Sequence, residues 1–392
     1  MNYHIIIQDK FFKDYIEDIY RIHEEDNNVI LVRGKKGGSQ FFQTERPIEY
    51  IGKNPMKISE RLSKINPEDH IIVAWYDLFI GEIICKLNLP NKVYAYSMGA
   101  DFYGEPEWWH DKWVFDPMTY RKYMMTEMYP RFLSKRPWRW YRFYKWFVFK
   151  RKMRKQYQRK LETIRRIDYI IMPEHSQKSF DFVKNIYPSL RAKRVCGTFN
   201  QNVDKAVNYD LKPIPTECEP LRILLGNSSD PTGNHLDAIK FLAKRLEKNS
   251  HVFCLLSYGD KVSRDWTIEY GKKVLGDRFH PVLDYMQRNE FVSFMQSMDV
   301  VVMYHNRSQA AGNVMTAITL GKPVFMKQNS TLFSNLQDIG VSSVHAVQQI
   351  GDYNLRDTIK KAQIGREENV DLIKSEYSDE TRLKHLKVLL CQ

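Results

Sequence analysis

The feature that most narrows the fold of this chain is a rhythm. Short apolar runs of strand length, each ending in polar or glycine-bearing residues, alternate with stretches whose apolar residues recur at helical spacing. Tyr3 to Ile7, Val29 to Val32, Ile71 to Ala74, Lys92 to Ser97, Ile167 to Met172 and Arg194 to Gly197 read as strands. Phe11 to Ile22, Pro55 to Lys64, Leu78 to Leu87 and Ser176 to Ile186 read as the intervening helices, the first with Phe12, Tyr15, Ile16, Ile19 and Ile22 on one face. A second series of strands begins near Leu221, His251, His280, Val300, Pro323 and Val341, and from Leu355 onward two or more helices are expected. Strands separated by helices pair in parallel and need both faces of the sheet covered, so the fold class is α/β. Pro213, Pro215 and Pro220 mark 210–220 as a linker, dividing the chain into an N-terminal domain, 1–209, and a C-terminal domain, 221–392.

A chain of 392 residues, 43% apolar, holds two such cores. Its five cysteines, Cys85, Cys196, Cys218, Cys254 and Cys391, are scattered and lack CxxC spacing, which points to a reducing compartment with neither a disulfide framework nor a zinc site. No signal-peptide pattern opens the sequence, and no run of about 18 apolar residues suits a transmembrane helix. The net charge of +13 is localised: Tyr129 to Leu161 carries thirteen Lys and Arg and no Asp or Glu. This stretch belongs to an insertion at about 105–160 of the N-terminal domain. Within it Trp138, Arg139, Trp140, Arg142, Phe143, Lys145, Trp146, Phe147, Lys150 and Arg151 interleave aromatic rings with cations. An amphipathic helix of that composition either lies in an anionic membrane surface or packs on its domain by its aromatics. Single-stranded nucleic acid also attracts such residues. No RNP, KH or zinc-finger signature accompanies them, and no nucleic-acid partner is expected.

Two strand-end loops carry the chemistry. After Leu221 to Leu225 comes Gly226-Asn227-Ser228-Ser229-Asp230, then Thr232, Asn234, His235 and a helix. The helix's first N–H groups and dipole offer a seat for phosphate, while Ser229, Asp230 or Thr232 equally suits a helix cap. After Val300 to Met303 comes Tyr304 with Arg307, Gln309, Gly312 and Asn313, again before a helix. Arg307 either grips a diphosphate through two parallel hydrogen bonds or is a solvated surface cation. Tyr258 and Gly259, ending another strand, are placed to line the same nucleotide pocket. Open parallel sheets bind ligands at such strand ends.

GNSSDPTGNHLDAI, YHNRSQAAGNVMTAITLGKPV and GADFYGE at Gly99 to Glu105 resemble the signature segments of the bacterial N-acetylfucosaminyltransferases that modify lipid II of enterobacterial common antigen. The similarity runs through most of the chain in order, with GNSSD the most specific part. It implies a GT-B fold, two Rossmann-like domains with parallel sheets facing across a cleft. It also implies a dTDP-sugar donor, inversion, a polyprenyl diphosphate-linked acceptor, and peripheral association with the cytoplasmic face of the inner membrane. The chain has no DxD motif, so neither a metal nor a cofactor beyond the donor is expected; helix N-termini and Arg307 would meet the diphosphate charge. An inverting transfer needs a base from the first domain. Asp101, in GADFYGE, is the first choice, with Asp9 and Asp77 as rivals and a capping role open for each. His235 faces the leaving group or lies on the helix surface, and Glu174 and His175 are placed to touch the acceptor. The alternatives are a UDP- or GDP-sugar transferase with another acceptor, or a non-enzymatic nucleic-acid-binding α/β protein.

Overall fold

The computed structural model describes the chain apart from residues 10, 23–26, 40–41, 98, 104–113, 124–138, 199–202, 204–209 and 392. The chain forms two units, each built on one parallel sheet. The first comprises Met1–Trp109, Lys150–Asn200 and Glu376–Gln392; the second comprises His110–Phe149 and Gln201–Ser375.

Seven strands make the first sheet: β1 (Asn2–Ile7), β2 (Asn28–Arg33), β3 (Glu49–Tyr50), β4 (His70–Ala74), β5 (Val93–Tyr96), β6 (Tyr169–Met172) and β7 (Lys193–Cys196). Their spatial order is β3-β2-β1-β4-β5-β6-β7, with every pair parallel. The six expected strands are present. The two-residue β3 lacks the apolar run that would reveal it; its pairing with Leu31 and Val32 makes it a strand. Phe12, Tyr15, Ile16 and Ile19 of the helix Phe11–Ile22 are buried against this sheet, as their spacing predicts.

The terminal helix Asp379–Leu390 adds Leu386, Leu389 and Leu390 to the same core. Arg382 fixes it there, with Nε and Nη2 donating to the two carboxylate oxygens of Asp18 at 2.7 and 3.1 Å, both residues buried. This two-bond geometry fixes orientation as well as charge.

The second sheet contains β8 (Arg222–Leu225), β9 (His251–Leu255), β10 (Phe279–Val282), β11 (Val300–Met303), β12 (Val324–Met326) and β13 (Val344–Ala346), in the order β10-β9-β8-β11-β12-β13. All are parallel. Val300, Val301, Val302 and Met303 are wholly buried, which is why β11 reads as an uninterrupted apolar run. The order reverses between β8 and β11, the doubly wound arrangement in which a crevice opens at the strands' carboxyl ends. The corresponding reversal in the first sheet lies between β1 and β4.

Two features of the expected insertion differ from the sequence reading. Its described residues 114–123 join the second unit, because Asn234 and Asp237 bond their backbone. The helix Arg139–Thr163 does not segregate apolar and charged residues onto opposite faces. In the sequence, aromatic residues concentrate in 139–149, interleaved with Arg139, Arg142 and Lys145, and cations without tryptophan or phenylalanine follow in 150–160. Tyr144, Phe147 and Val148 are exposed, followed by exposed Arg151, Lys152, Arg154 and Lys155. Trp138 lies outside the described residues, as do the side chains of Arg139, Trp140, Arg142, Phe143, Lys145, Trp146 and Lys150. No described helix is long and apolar enough to cross a membrane.

Candidate donor-binding site

The loops after β8 and β11 leave adjacent strands at the point where the second sheet reverses. Gly226 ends β8 at φ +69° and donates its N–H to Val302 O at 2.9 Å. The His235 ring explains this glycine and Gly233: a Cβ on Gly226 would lie 2.6 Å from Nε2, and one on Gly233 2.5 Å from Cε1. His235 is 1% exposed, so it is neither on the helix surface nor open to solvent. Among the described residues neither ring nitrogen has a partner, and burial lowers its pKa to about 4, leaving a neutral imidazole beneath the loop.

Side chains knit the loops together. Ser229 donates its N–H and Oγ to Tyr258 O at 2.7 and 2.8 Å. Gly259 follows at φ +112°, where a Cβ would meet Asp230 N and Ser229 Oγ at 2.9 Å. Ser228 is buried beside them, its Oγ accepting from Asp230 N at 3.4 Å. Asn227 donates Nδ2 to the Tyr258 hydroxyl at 3.2 Å, while its Oδ1 accepts from Gln309 Nε2 at 3.3 Å and from His305 Nε2 at 3.1 Å. That acceptor places the His305 proton on Nε2; its buried Nδ1 has no partner among the described residues, and burial, then Arg307 and His235, push its pKa down to about 3.

Asp230 caps the single 3₁₀ turn Pro231–Gly233 by accepting from Thr232 N at 2.9 Å. The Thr232 hydroxyl accepts from Arg307 Nη2 at 3.2 Å and lies 3.1 Å from Gln309 Oε1. Arg307 is only 9% exposed and its Nε is unpartnered. Among the described residues it touches no carboxylate directly; the nearest link is through the Thr232 hydroxyl, which also bonds the Asp230 carboxylate. A buried guanidinium with no carboxylate in contact is costly, and a bound anion lowers that cost.

Ala310, at φ +61°, begins the helix Ala311–Thr319 without a side-chain cap. Ala311, Gly312 and Asn313 are half-exposed, and no side-chain cap satisfies the orphan N–H groups of this helix. The helix expected to seat phosphate after the Gly226 turn, His235–Leu242, is different. Asn234, His235 and Leu236 at its start are buried. Asn234 enters at φ +52°, donates Nδ2 to Val114 O at 2.9 Å and accepts from Asp116 N at 2.7 Å. Its side chain therefore binds the chain's own 114–116 segment, and the open helix N-terminus belongs to the second loop.

That segment supplies what the sequence reading missed. The Asp116 carboxylate accepts from Lys327 Nζ at 2.6 and 2.7 Å and from Asn306 Nδ2 at 3.1 Å, and Lys327 Nζ lies 4.8 Å from the centre of the buried Tyr304 ring. Lys327 directly follows β12, a strand-end position that topology flags; the Asp-Pro start of the helix Pro117–Tyr123 is the signal for Asp116.

Residues 144–386 match the family model described as 4-alpha-L-fucosyltransferase, glycosyl transferase group 56. The chain belongs to this family. Among solved structures, group 56 shares its fold here with the apo lipopolysaccharide outer core galactosyltransferase WaaB, at TM-score 0.56 and 11% identity over 100% of both chains. A glycosyltransferase from Rickettsia africae matches at TM-score 0.59 and 11% identity over 99% of this chain and 97% of that one. The UDP-forming alpha,alpha-trehalose-phosphate synthase from Burkholderia vietnamiensis matches at 0.61 and 8% identity over 100% of both. The fold is GT-B, with two Rossmann-like domains, and this member of group 56 is a glycosyltransferase that moves a sugar from a nucleotide sugar to an acceptor.

The candidate acids all follow strands of the first sheet. Asp77 caps the helix Leu78–Leu87 through Ile80 N at 3.0 Å and pairs with Arg33 at 2.5 Å. Asp101 is 3% exposed and its carboxylate accepts from Tyr76 N at 3.4 Å. There it supports the turn in which Trp75 takes φ +76°, a strained value for a residue with a side chain. Asp9 is half-exposed just beyond β1. His175 pairs with Glu376, through its N–H at 2.7 Å and Nδ1 at 3.0 Å, and both it and Glu174 are exposed.

Proposed function

We propose that the enzyme transfers an amino-deoxysugar of the N-acetylfucosamine type from dTDP to a polyprenyl diphosphate-linked saccharide at an anionic membrane surface, with inversion. The observation that carries the donor half is Arg307, buried with no carboxylate in contact among the described residues, beside the uncapped start of Ala311–Thr319. A nucleoside diphosphate supplies the missing negative charge, and both its phosphates have donors within one loop. The same contacts strengthen as charge moves onto the leaving diphosphate. Gly226, Asn227, Tyr258 and Gln309 frame the rest of the donor pocket; Ser229, Asp230 and Asn234 hold its loops. His235 and His305 act as neutral supports beneath it. Asp9 is the accessible candidate for the base, with Asp101 positioning the neighbouring turn.

The resemblance of the signature segments supports the reading of a dTDP-sugar donor and a lipid-linked acceptor. The exposed Tyr144, Phe147 and Val148, followed by four exposed cations, fit a helix whose aromatic end enters the interface and whose cations meet headgroups. A second reading, UDP as the nucleotide, is favoured by the UDP-forming synthases among the structural likenesses. Calorimetry with dTDP, UDP and GDP decides between them: preference for dTDP supports the first reading, preference for UDP replaces the donor, and failure to bind any of them sinks the site. Co-sedimentation with phosphatidylglycerol vesicles, lost on Phe147→Ser with Arg151→Ser, tests the membrane contact.

A further inference from the structure

The donor site leaves unused a second cationic loop, in the first unit. β1 and β2 run parallel with Ile7 opposite Arg33, so Gln8-Asp9 and Gly34-Lys35 leave the sheet side by side, next to its reversal at β1 and β4. The segment after β2 reads Gly34-Lys35-Lys36-Gly37-Gly38-Ser39.

Its shape is set by the Gln8 amide. Gln8 Nε2 donates to Lys35 O at 2.8 Å and Gln8 Oε1 accepts from Lys35 N at 3.0 Å, a two-way bond that imitates one further step of strand pairing. Two glycines make room for this. A Cβ on Gly34 would fall 2.3 Å from Gln8 Oε1 and one on Gly38 2.8 Å from the same atom. Gly38 N then donates to Lys35 O at 2.9 Å, closing a turn whose third residue, Gly37, takes φ +73°. Among the described residues nothing lies within 4 Å of a would-be Cβ on Gly37, so they leave the tip open. Lys35, Lys36, Gly37 and Gly38 are all exposed, and among the described residues neither lysine forms an ion pair. The result is a braced turn that presents two uncompensated cations and side-chain-free backbone at the ligand-binding edge of a parallel sheet.

We infer that this turn is a diphosphate-binding site and that its ligand is the diphosphate of the lipid-linked acceptor. This identification of the ligand rests on the reading above. The chemistry is the same as for any diphosphate: two ammonium groups for the charge, and glycine backbone close enough for phosphate oxygens to reach N–H groups. An acceptor held there is anchored beside β1, the strand that Asp9 follows.

The first experiment titrates inorganic pyrophosphate into the full-length protein while a nucleoside diphosphate saturates the donor site. Wild-type protein is expected to bind pyrophosphate under these conditions. Lys35→Ala with Lys36→Ala should weaken this about tenfold or more, as loss of two charge-assisted contacts requires. Gly37→Ala, which keeps both cations but strains the turn at φ +73°, should weaken it about threefold or more. Unchanged affinity in the double variant, or no wild-type binding once nucleotide is saturating, overturns the site.

The second experiment identifies the source of the diphosphate. In detergent, the double variant should raise KM for a short-chain polyprenyl diphosphate saccharide about tenfold, leave the donor KM unchanged, and still co-sediment with phosphatidylglycerol vesicles. Lost co-sedimentation with an unchanged acceptor KM assigns the turn to phospholipid headgroups and overturns the acceptor assignment. Wild-type enzyme is assayed in parallel with the same saccharide on an uncharged alkyl chain. Equal KM there defeats the lipid-diphosphate acceptor reading, whereas the pyrophosphate titration judges the site independently.

Discussion

Replacing Arg307 with methionine should separate ligand binding from stability in opposite directions. The guanidinium is 9% exposed, with one bond to Thr232 and an unpartnered Nε, so the free protein bears a buried charge with little compensation. Bonds from charged donors contribute about 1.5–3 kcal/mol each, and a two-bond grip on diphosphate conservatively supplies about 3 kcal/mol in total. Its loss raises the nucleoside diphosphate Kd about 150-fold, while the Kd for the phosphate-free nucleoside stays within about threefold. Removing an uncompensated buried charge in favour of an apolar chain of similar length is neutral or stabilising, so the Tm of the ligand-free variant should equal or exceed that of the wild type. Calorimetry on the nucleoside and its diphosphate, paired with thermal unfolding without ligand, reads both quantities. Diphosphate affinity within threefold of wild type would refute the assignment of Arg307 to the phosphates. A Tm drop of several degrees would show that its charge is compensated in the free protein.

Asp9→Asn should lower kcat at least about a hundredfold with donor affinity unchanged, the range general-base loss produces. Asp101→Asn should instead lower Tm through the Trp75 turn and leave most of kcat; the reverse pattern would return the base to Asp101. The buried histidines set an acid limit. His235 and His305 titrate at about 4 and about 3 when folded against 6.5 ordinarily, so the unfolded chain binds protons that the folded chain refuses. Their contribution to stability is complete above pH 6.5 and is lost as pH falls toward 4 and then 3. His305→Gln keeps an N–H donor for Asn227 but cannot titrate, so the fall in Tm between pH 6.5 and 4 should be shallower than in wild type; an identical slope would show that His305 is not a source of the acid sensitivity.

The sequence by itself determined the elements and their grammar. Val300 to Met303 must be a buried strand because it is apolar throughout, and Phe12, Tyr15, Ile16 and Ile19 must face a core because they share one side of a helix. These are local patterns, and alternating strands and helices leave little choice but parallel sheets. The loop residues were legible for a related reason: strand ends are where such sheets bind ligands, so Gly226, Arg307 and Gln309 could be named from position alone.

Tertiary structure decided how those residues are used. Gly226 could be named from its place at a strand end, but only the fold shows that a Cβ there would strike the chain's own His235. The start of His235–Leu242 looked like a phosphate seat, but Asn234 binds Val114 and Asp116 from far earlier in the chain, leaving Ala311–Asn313 as the open helix start. Asp101 shares its strand-end position with Asp9, yet one is buried under a strained turn and the other is not. The terminal helix carries no mark of its destination until Arg382 meets Asp18. Periodicity reports which face of an element is apolar; it says nothing about which distant polar group will satisfy an exposed N–H or carboxylate. That pairing depends on strand order and on contacts across the whole fold, and it turns a candidate residue into a brace, a cap or a ligand.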